Sequence, residues 1–396
     1  PGHQLAWHAE GREAAEALLR EIANARRTID IQLYILEADA ASQAVVTALG
    51  QACKRGVRVR LLLDGLGCSD ADAAHLEQLT AAGAAVRVFR PLRFSVPWRH
   101  LLRRNHRKVA VFDGESAIVT GRNVGEHYLA MAPGHATWLD LGATVRGPAV
   151  TTLARQLNHD WRAAERKHRL YQWLRWLDPL APSADLLAAE RASRAAAHQN
   201  WPLTPPSKPG RGGLKVAAAL SVGKASANPI ADRYLHAVQS ARTSIWLVHA
   251  YFLPDHRLTR ALVAAARRGV QVRVVLPDLR STDVKLVALA SLHGLRQLMK
   301  AGVQVRLLCT NNLHAKFAVV DDVWWTMGSA NLDALSRKRN LEANLAGYGR
   351  EPGLLLARLA QSWFDLAEPW DAVESSRRPR WLRWLGQLAW RFRALL

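Results

Sequence analysis

The feature that most constrains this chain is that it carries one succession of segments twice. Ala25-Arg26-Arg27-Thr28-Ile29 leads into the apolar run Ile29 to Leu36, and Ala241-Arg242-Thr243-Ser244-Ile245 leads into Ile245 to Leu253. Arg55-Gly56-Val57-Arg58-Val59-Arg60 matches Arg268-Gly269-Val270-Gln271-Val272-Arg273, and Ala82-Gly83 with Val86-Arg87-Val88 matches Ala301-Gly302 with Val305-Arg306-Leu307. The offsets stay close, at 216 from Ile29 to Ile245, 213 from Gly56 to Gly269, 219 from Gly83 to Gly302 and 208 from His106 to His314. Such spacing argues for duplication of a whole folding unit.

Each copy alternates short β-branched runs with longer Ala- and Leu-rich helical patterns, Glu13 to Asn24 and Leu258 to Arg268 among them. That alternation predicts an α/β fold with a parallel or mixed sheet in each half. Gly56 and Gly269 stand where a helix end needs a left-handed residue before the next strand. At 396 residues the chain is long enough for two cores. The predicted organisation is an N-terminal domain over 1–165, a basic and aromatic insert with a Pro/Gly linker over 166–213, a C-terminal domain over 214–370 and a basic amphipathic tail over 371–396.

Both halves contain His-x-Lys-x-x-x-x-Asp, as His106, Lys108, Asp113 and as His314, Lys316, Asp321. The surrounding sequence, Asn105 to Asp113 and Leu313 to Asp321, reads as strand, so histidine and lysine share one face. A nucleophile or proton carrier beside a fixed cation suits a phosphodiester, whose phosphorus resists attack while its oxygens carry charge. One copy alone would fit a half-buried strand with a polar edge; two at equivalent places in a repeat do not. A lysine in the middle of the motif opposes a divalent metal, and no metal-ligand spacing accompanies it. After each motif comes a glycine with amide or hydroxyl neighbours, Thr120-Gly121-Arg122-Asn123 and Met327-Gly328-Ser329-Ala330-Asn331. Glycine admits a phosphate close to the backbone, and Ser and Asn donate to its oxygens.

On these residues the chain resembles the phospholipase D superfamily, in the form with two His-Lys-Asp motifs. The likeness runs from about Leu18 to Trp370 and takes in Trp138-x-Asp140, Arg146 to Val150, Tyr251 to Asp255, and Asn331-Leu332-Asp333 through Ser336, Asn340 and Glu342. Within the superfamily it is similar to bacterial cardiolipin synthases, above all the cardiolipin synthase B type that lacks N-terminal membrane spans. The resemblance implies two tandem phospholipase-D-like α/β sandwich domains forming one pseudo-symmetric unit. It also implies one active site at their interface, a phosphohistidine intermediate and no cofactor. His106 takes the part of nucleophile and His314 that of acid and base. Lys108 and Lys316 hold nonbridging oxygens with Asn123, Asn331 and Ser329, while Asp140 and Glu342 match the carboxylates that orient the histidines. Asp113 and Asp321 organise the site. The implied reaction moves a phosphatidyl group from one phosphatidylglycerol to another, or to a related phospholipid, and releases glycerol. Transfer rather than hydrolysis rests on the resemblance, and a phospholipase D hydrolase or a nuclease of the same superfamily remain the alternatives. One departure is Arg122, where synthases commonly have a second glycine; its charge adds a phosphate contact or signals a different headgroup.

Fifty-four Lys and Arg against 33 Asp and Glu give a formal charge of +21, which points to an anionic partner. The basic and aromatic residues gather in amphipathic stretches rather than along a groove, which favours a membrane surface over nucleic acid. With Trp381 to Leu396 as a helix, Trp381, Trp384, Leu385, Leu388, Phe392 and Leu395 fall on one arc and Arg383, Arg391 and Arg393 fall elsewhere, with Trp390 interrupting the polar side. Such a helix suits the interface of an anionic bilayer, and the run from Arg166 to Trp176 adds to that view. No apolar run reaches the roughly 18 residues of a membrane span. The three cysteines, Cys53, Cys68 and Cys309, form no disulfide framework. The expectation is a protein peripheral on the bacterial inner membrane, facing the cytosol, in a sequence whose first residue is Pro1 and which leaves an upstream segment open.

Overall fold

The computed structural model describes residues 2–91, 102–132, 134, 137–172, 214–223, 228–371 and 379–394. They divide into two compact units, one of Pro1–Thr137 with Gly142–Leu214 and one of Trp138–Leu141 with Lys215–Leu396.

The first unit runs β1 (Gln4–His8), α1 (Gly11–Asn24), β2 (Thr28–Leu33), α2 (Ala40–Lys54), β3 (Arg58–Asp64), α3 (Ala73–Ala81), β4 (Ala85–Phe89), β5 (Val109–Phe112), β6 (Ser116–Thr120), α4 (Glu126–Leu129), β7 (Gly142–Arg146) and α5 (Pro148–Gln172). The second runs β8 (Lys215–Val222), α6 (Pro229–Ser240), β9 (Ser244–His249), α7 (His256–Arg267), β10 (Gln271–Pro277), α8 (Lys285–Gly294), α9 (Arg296–Lys300), β11 (Gln304–Leu308), β12 (Lys316–Val320), β13 (Trp324–Gly328), α10 (Ala334–Lys338), β14 (Leu341–Tyr348), α11 (Arg350–Leu366), β15 (Glu368–Pro369) and α12 (Arg380–Arg391). The first sheet is ordered β1-β7-β6-β5-β2-β3-β4, and the second β15-β11-β10-β9-β12-β13-β14-β8. Apart from the short β15, the two orders are the same when one is read in reverse. The duplication read in the sequence is thus a duplication of topology.

Register is repeated as well. Ile29 faces Phe112 across the antiparallel β2–β5 pair, and Ile245 faces Val320 across β9–β12. The caps recur too: Asp39 accepts from Ser42 N at the start of α2, and Asp255 from Leu258 N at the start of α7. Gly56 and Gly269 have φ of +85° and +89°, the left-handed geometry their place after a helix required.

In both units the strand alternation sends successive side chains to opposite faces of the sheet. Toward α5, Gln32 donates to Asp160, and the Arg60 and Arg87 guanidinium groups lie 5.3 and 4.3 Å from the Trp161 ring. Toward α11, Phe317 packs edge-on against Trp363 at 5.7 Å and Trp246 against Phe364 at 5.6 Å. The residues between them, Ile31 and Leu33 or Leu247 and Ala318, are buried on the other face.

Helix α5 continues without a break through residue 165 to Gln172, so the first residues of the expected insert are the last turns of a helix. The remainder of that insert, with its Pro/Gly linker, lies outside the described residues.

Candidate active site

The strand carrying each motif begins later than the sequence suggested. β5 starts at Val109 and β12 at Lys316, so His106, Lys108 and His314 occupy the approach to a strand rather than its middle. The alternation nevertheless extends into that approach. Arg107 is fully buried and pairs with Asp160 of α5. The flanking His106 and Lys108 are thereby committed to the opposite face. In both units the lysine turns its ammonium back to the carbonyl of the histidine two residues earlier: Lys108 Nζ donates to His106 O at 3.0 Å, and Lys316 Nζ donates to His314 O. Both lysines are about 1 % exposed, held among packed side chains rather than in solvent.

In the second unit His314 is built from two distant pieces of chain. Residues 138–141 belong to this unit and run parallel to 312–314 through the bridge Leu139–Leu313. Leu139 N donates to Asn312 O and His314 N to Leu139 O, both at 2.8 Å. This short ladder brings the Asp140 carboxylate to His314, with Oδ2 2.6 Å from Nδ1. Asp140 is fully buried, and its Oδ1 accepts from Leu141 N at 2.7 Å. A carboxylate on Nδ1 selects the tautomer with its proton on that nitrogen and its lone pair on Nε2. The Trp138 ring lies 5.7 Å from the imidazole, tilted by 50° to it.

The Lys316 ammonium has its pKa pulled down to about 8 by burial, against the opposing pull of Asp140, Asp283, Glu342 and Asp333. Across the β9–β12 pair its partner is His249, buried and held near 3 by burial and by the Lys316 charge, with Tyr234 Oη 3.3 Å from Nε2. His249 is therefore a neutral wall behind the lysine. The sequence offered no sign of it, because only the strand register puts residue 249 beside residue 316.

Glu342, fully buried on β14, accepts from Ser329 Oγ at 2.6 Å and from Ser336 Oγ at 2.8 Å. Ser336 Oγ in turn accepts from Asn331 N at 3.2 Å. Ser329 was expected to donate to phosphate. Its hydroxyl bonds Glu342 and accepts from Ala343 N at 3.0 Å, which makes it a support for that carboxylate. Gly328 before it has φ +153°, and a Cβ there would lie 2.3 Å from Ala343 O, so glycine permits this turn to lie on β14. Asp333 is pushed up to about 7, by burial first, while Ser336 N donates to it at 2.7 Å.

In the first unit His106 is half-buried, and Tyr34 at the end of β2 meets its ring edge-on at 4.8 Å. Lys108 Nζ lies 5.0 Å from the same Tyr34 ring. Tyr34 thus packs against both functional side chains, although its counterpart in the repeat is Ala250 and the duplication gave no reason to single it out. Asn123 is buried, with Oδ1 accepting from Ile35 N at 3.3 Å. Arg122, whose charge was read as an added phosphate contact or the sign of a different headgroup, is buried and donates through Nη1 to His8 O at 2.9 Å and through Nη2 to Ala9 O. It ties down the corner between β1 and α1.

The motif aspartates stand at the other end of their strands, on the order of 20 Å of extended chain from the histidines. Asp113 accepts from Arg26 N, Arg27 N and Thr28 N at 2.9, 2.7 and 2.8 Å. Asp321 accepts from Arg242 N, Thr243 N and Ser244 N at 2.9, 2.7 and 3.0 Å. Both have positive φ, 52° and 53°. Their part is to clamp the turn that starts β2 or β9, which keeps the motif strand in register.

Residues 18–161 and 234–365 match the family model described as cardiolipin synthase, PLD-like domain. The chain is 31% identical over 376 residues to a cardiolipin synthase of Geobacillus thermodenitrificans, covering 95% of this chain and 69% of that one. It is 28% identical over 374 residues to the major cardiolipin synthase of Bacillus subtilis, covering 94% and 71%. Among solved structures it is similar to the phosphatidylserine synthase of Haemophilus influenzae, with a TM-score of 0.73 at 15% identity, over 99% of this chain and 95% of that one.

Proposed function

Because the chain belongs to the cardiolipin synthase family of phospholipase-D-like domains, we propose that it transfers a phosphatidyl group from one phosphatidylglycerol to the headgroup hydroxyl of another. In the first step His106 Nε2 attacks phosphorus, the bond from phosphorus to the glycerol headgroup oxygen breaks, and that oxygen takes a proton from His314 Nε2. Glycerol leaves. In the second step His314 removes the proton from a hydroxyl of the incoming phosphatidylglycerol, whose oxygen displaces His106 from phosphorus. The product is cardiolipin, and both histidines return to their starting forms.

The observation that carries this reading is the Asp140 carboxylate 2.6 Å from His314 Nδ1, which suits Nε2 to carry one proton in each direction. Lys108 and Lys316 neutralise the nonbridging oxygens, with Asn123 and Asn331 assisting, and Asp140 and Glu342 serve as the orienting carboxylates. Among the described residues no helix is long and apolar enough to cross a membrane. The proposed place of action is the surface of the bacterial inner membrane, on its cytosolic side.

The test is to incubate the protein with phosphatidylglycerol, with and without phosphatidylethanolamine, and identify the lipid products by mass spectrometry. Cardiolipin and glycerol from phosphatidylglycerol alone are expected. Phosphatidic acid as the sole product would make the chain a hydrolase, and full activity in His106→Ala would remove the proposed nucleophile.

A further inference from the structure

Helix α12 is amphipathic twice over. One face is docked: Gly386 and Ala389 are buried, and a Cβ on Gly386 would lie 2.9 Å from Leu289 O of α8. At the second point of contact the arrangement is reversed, since a Cβ on Gly294 of α8 would lie 2.2 Å from the Trp390 ring. Two glycines, one on each helix, let α8 and α12 approach closely. Ala389 and Trp390 close a small core with Leu253, Val287 and Ala290. Trp390, which interrupts the polar side of the sequence arc, is therefore a docking residue.

The opposite face is apolar and uncovered. Trp381, Trp384, Leu388 and Phe392 are 64, 63, 38 and 57% exposed. At about 100° per residue these four lie within one arc of about 80°, centred well away from the docked face. Leu395 of the predicted arc lies outside the described residues. Arg380 and Arg391 lie together along one edge of the arc and are exposed. From 379 to 394 there is no acidic residue against four arginines. A helix packed through glycine and alanine, with tryptophans turned outward beside an arginine edge, has its larger apolar surface on the wrong side for a core element.

We infer that the outward face of α12 is a membrane-docking surface, lying in the headgroup region of an anionic phospholipid bilayer. The aromatic rings suit the interface, with an apolar body and, in tryptophan, an N–H that stays hydrated. The arginines complement anionic headgroups, and the absence of carboxylates removes the repulsion that would oppose them. The docked face holds the helix parallel to a fixed part of the second unit, so binding orders no new segment. The inference relies on the transfer reading only for the choice of lipid.

The experiment is flotation of the full chain with vesicles of phosphatidylcholine alone or mixed with phosphatidylglycerol, without turnover. The parent protein binds the mixed vesicles, and its binding weakens with added salt. Trp381→Ser, Trp384→Ser and Phe392→Ser together reduce partitioning at least about tenfold. They leave thermal unfolding and transfer from detergent-dispersed phosphatidylglycerol as in the parent. Arg380→Gln with Arg391→Gln reduces binding to mixed vesicles alone. Unchanged flotation of the triple variant would overturn the proposal. So would light scattering showing a dimer that the triple variant abolishes, since a second copy would then cover the face. Loss of transfer chemistry in the parent, with flotation intact, would count against the transfer reading and leave this one standing.

Discussion

Replacing Asp140 by Asn tests the site at its best-defined bond. The side chain keeps its shape, and its Oδ1 still accepts from Leu141 N, now at 2.7 Å. The amide nitrogen is then left opposite His314 Nδ1, where Oδ2 stood at 2.6 Å. Two donors cannot face each other, so Nδ1 must give up its proton and accept, and the remaining proton moves to Nε2. The imidazole is then in the tautomer that cannot take a proton at Nε2, and the imidazolium formed on turnover has lost its buried counter-charge. Removing one partner of a buried, hydrogen-bonded charge pair costs about 3–5 kcal/mol. At about 1.4 kcal/mol per tenfold, this corresponds to a fall in kcat of roughly 10² to 10⁴. The assay is kcat for cardiolipin formation at saturating phosphatidylglycerol, with thermal unfolding as a control for folding. A kcat within about threefold of the parent, in a protein that melts normally, would refute the reasoning that Asp140 acts through His314.

Lys316, held at about 8 by burial, loses its charge as pH rises through that value. The free enzyme therefore loses a phosphate-binding cation, and kcat/KM is expected to decline above about pH 8 in a pH–rate profile. Stability moves the other way: the unfolded chain holds the proton up to about 10.5, so between about 8 and 10.5 this group adds to stability as pH rises, which urea titrations at each pH can measure. Asp321→Asn should lower stability by about 1–3 kcal/mol in urea unfolding while leaving kcat near the parent value, because the lost bonds are at the β9 turn. Burial raises the pKa of Asp321, but the Ser244, Thr243 and Arg242 amides outweigh it and hold it below 3.8, so its contribution is present above pH 3.8 and is lost as pH falls through the lower folded value in an acid titration. Arg122→Met strips the donors from the His8 and Ala9 carbonyls and should cost about 1–3 kcal/mol in thermal or urea unfolding, with the distribution of lipid products unaltered by mass spectrometry; a changed headgroup preference would return Arg122 to the substrate.

The amino-acid sequence by itself determined the duplication, the alternation of strand and helix, the glycines after α2 and α7, and the pairing of histidine with lysine on one face. Each depends on residues near one another along the chain, where periodicity and backbone preference act directly. The same locality explains what it misjudged. The motif reads as continuous strand from Asn105 to Asp113, yet pairing with β2 begins only at Val109, and a ladder depends on its neighbour as well as on its own residues. Asp113 and Asp321 belong to the motif in sequence but to a turn in space, because an extended chain carries its two ends apart. Ser329 and Arg122 have side chains fit for phosphate, and only packing showed that Glu342 and the β1–α1 corner occupy them. The meeting of Asp140 with His314 was the decision of tertiary structure alone. They are 174 residues apart, and a parallel bridge at Leu139 and Leu313 brings them together.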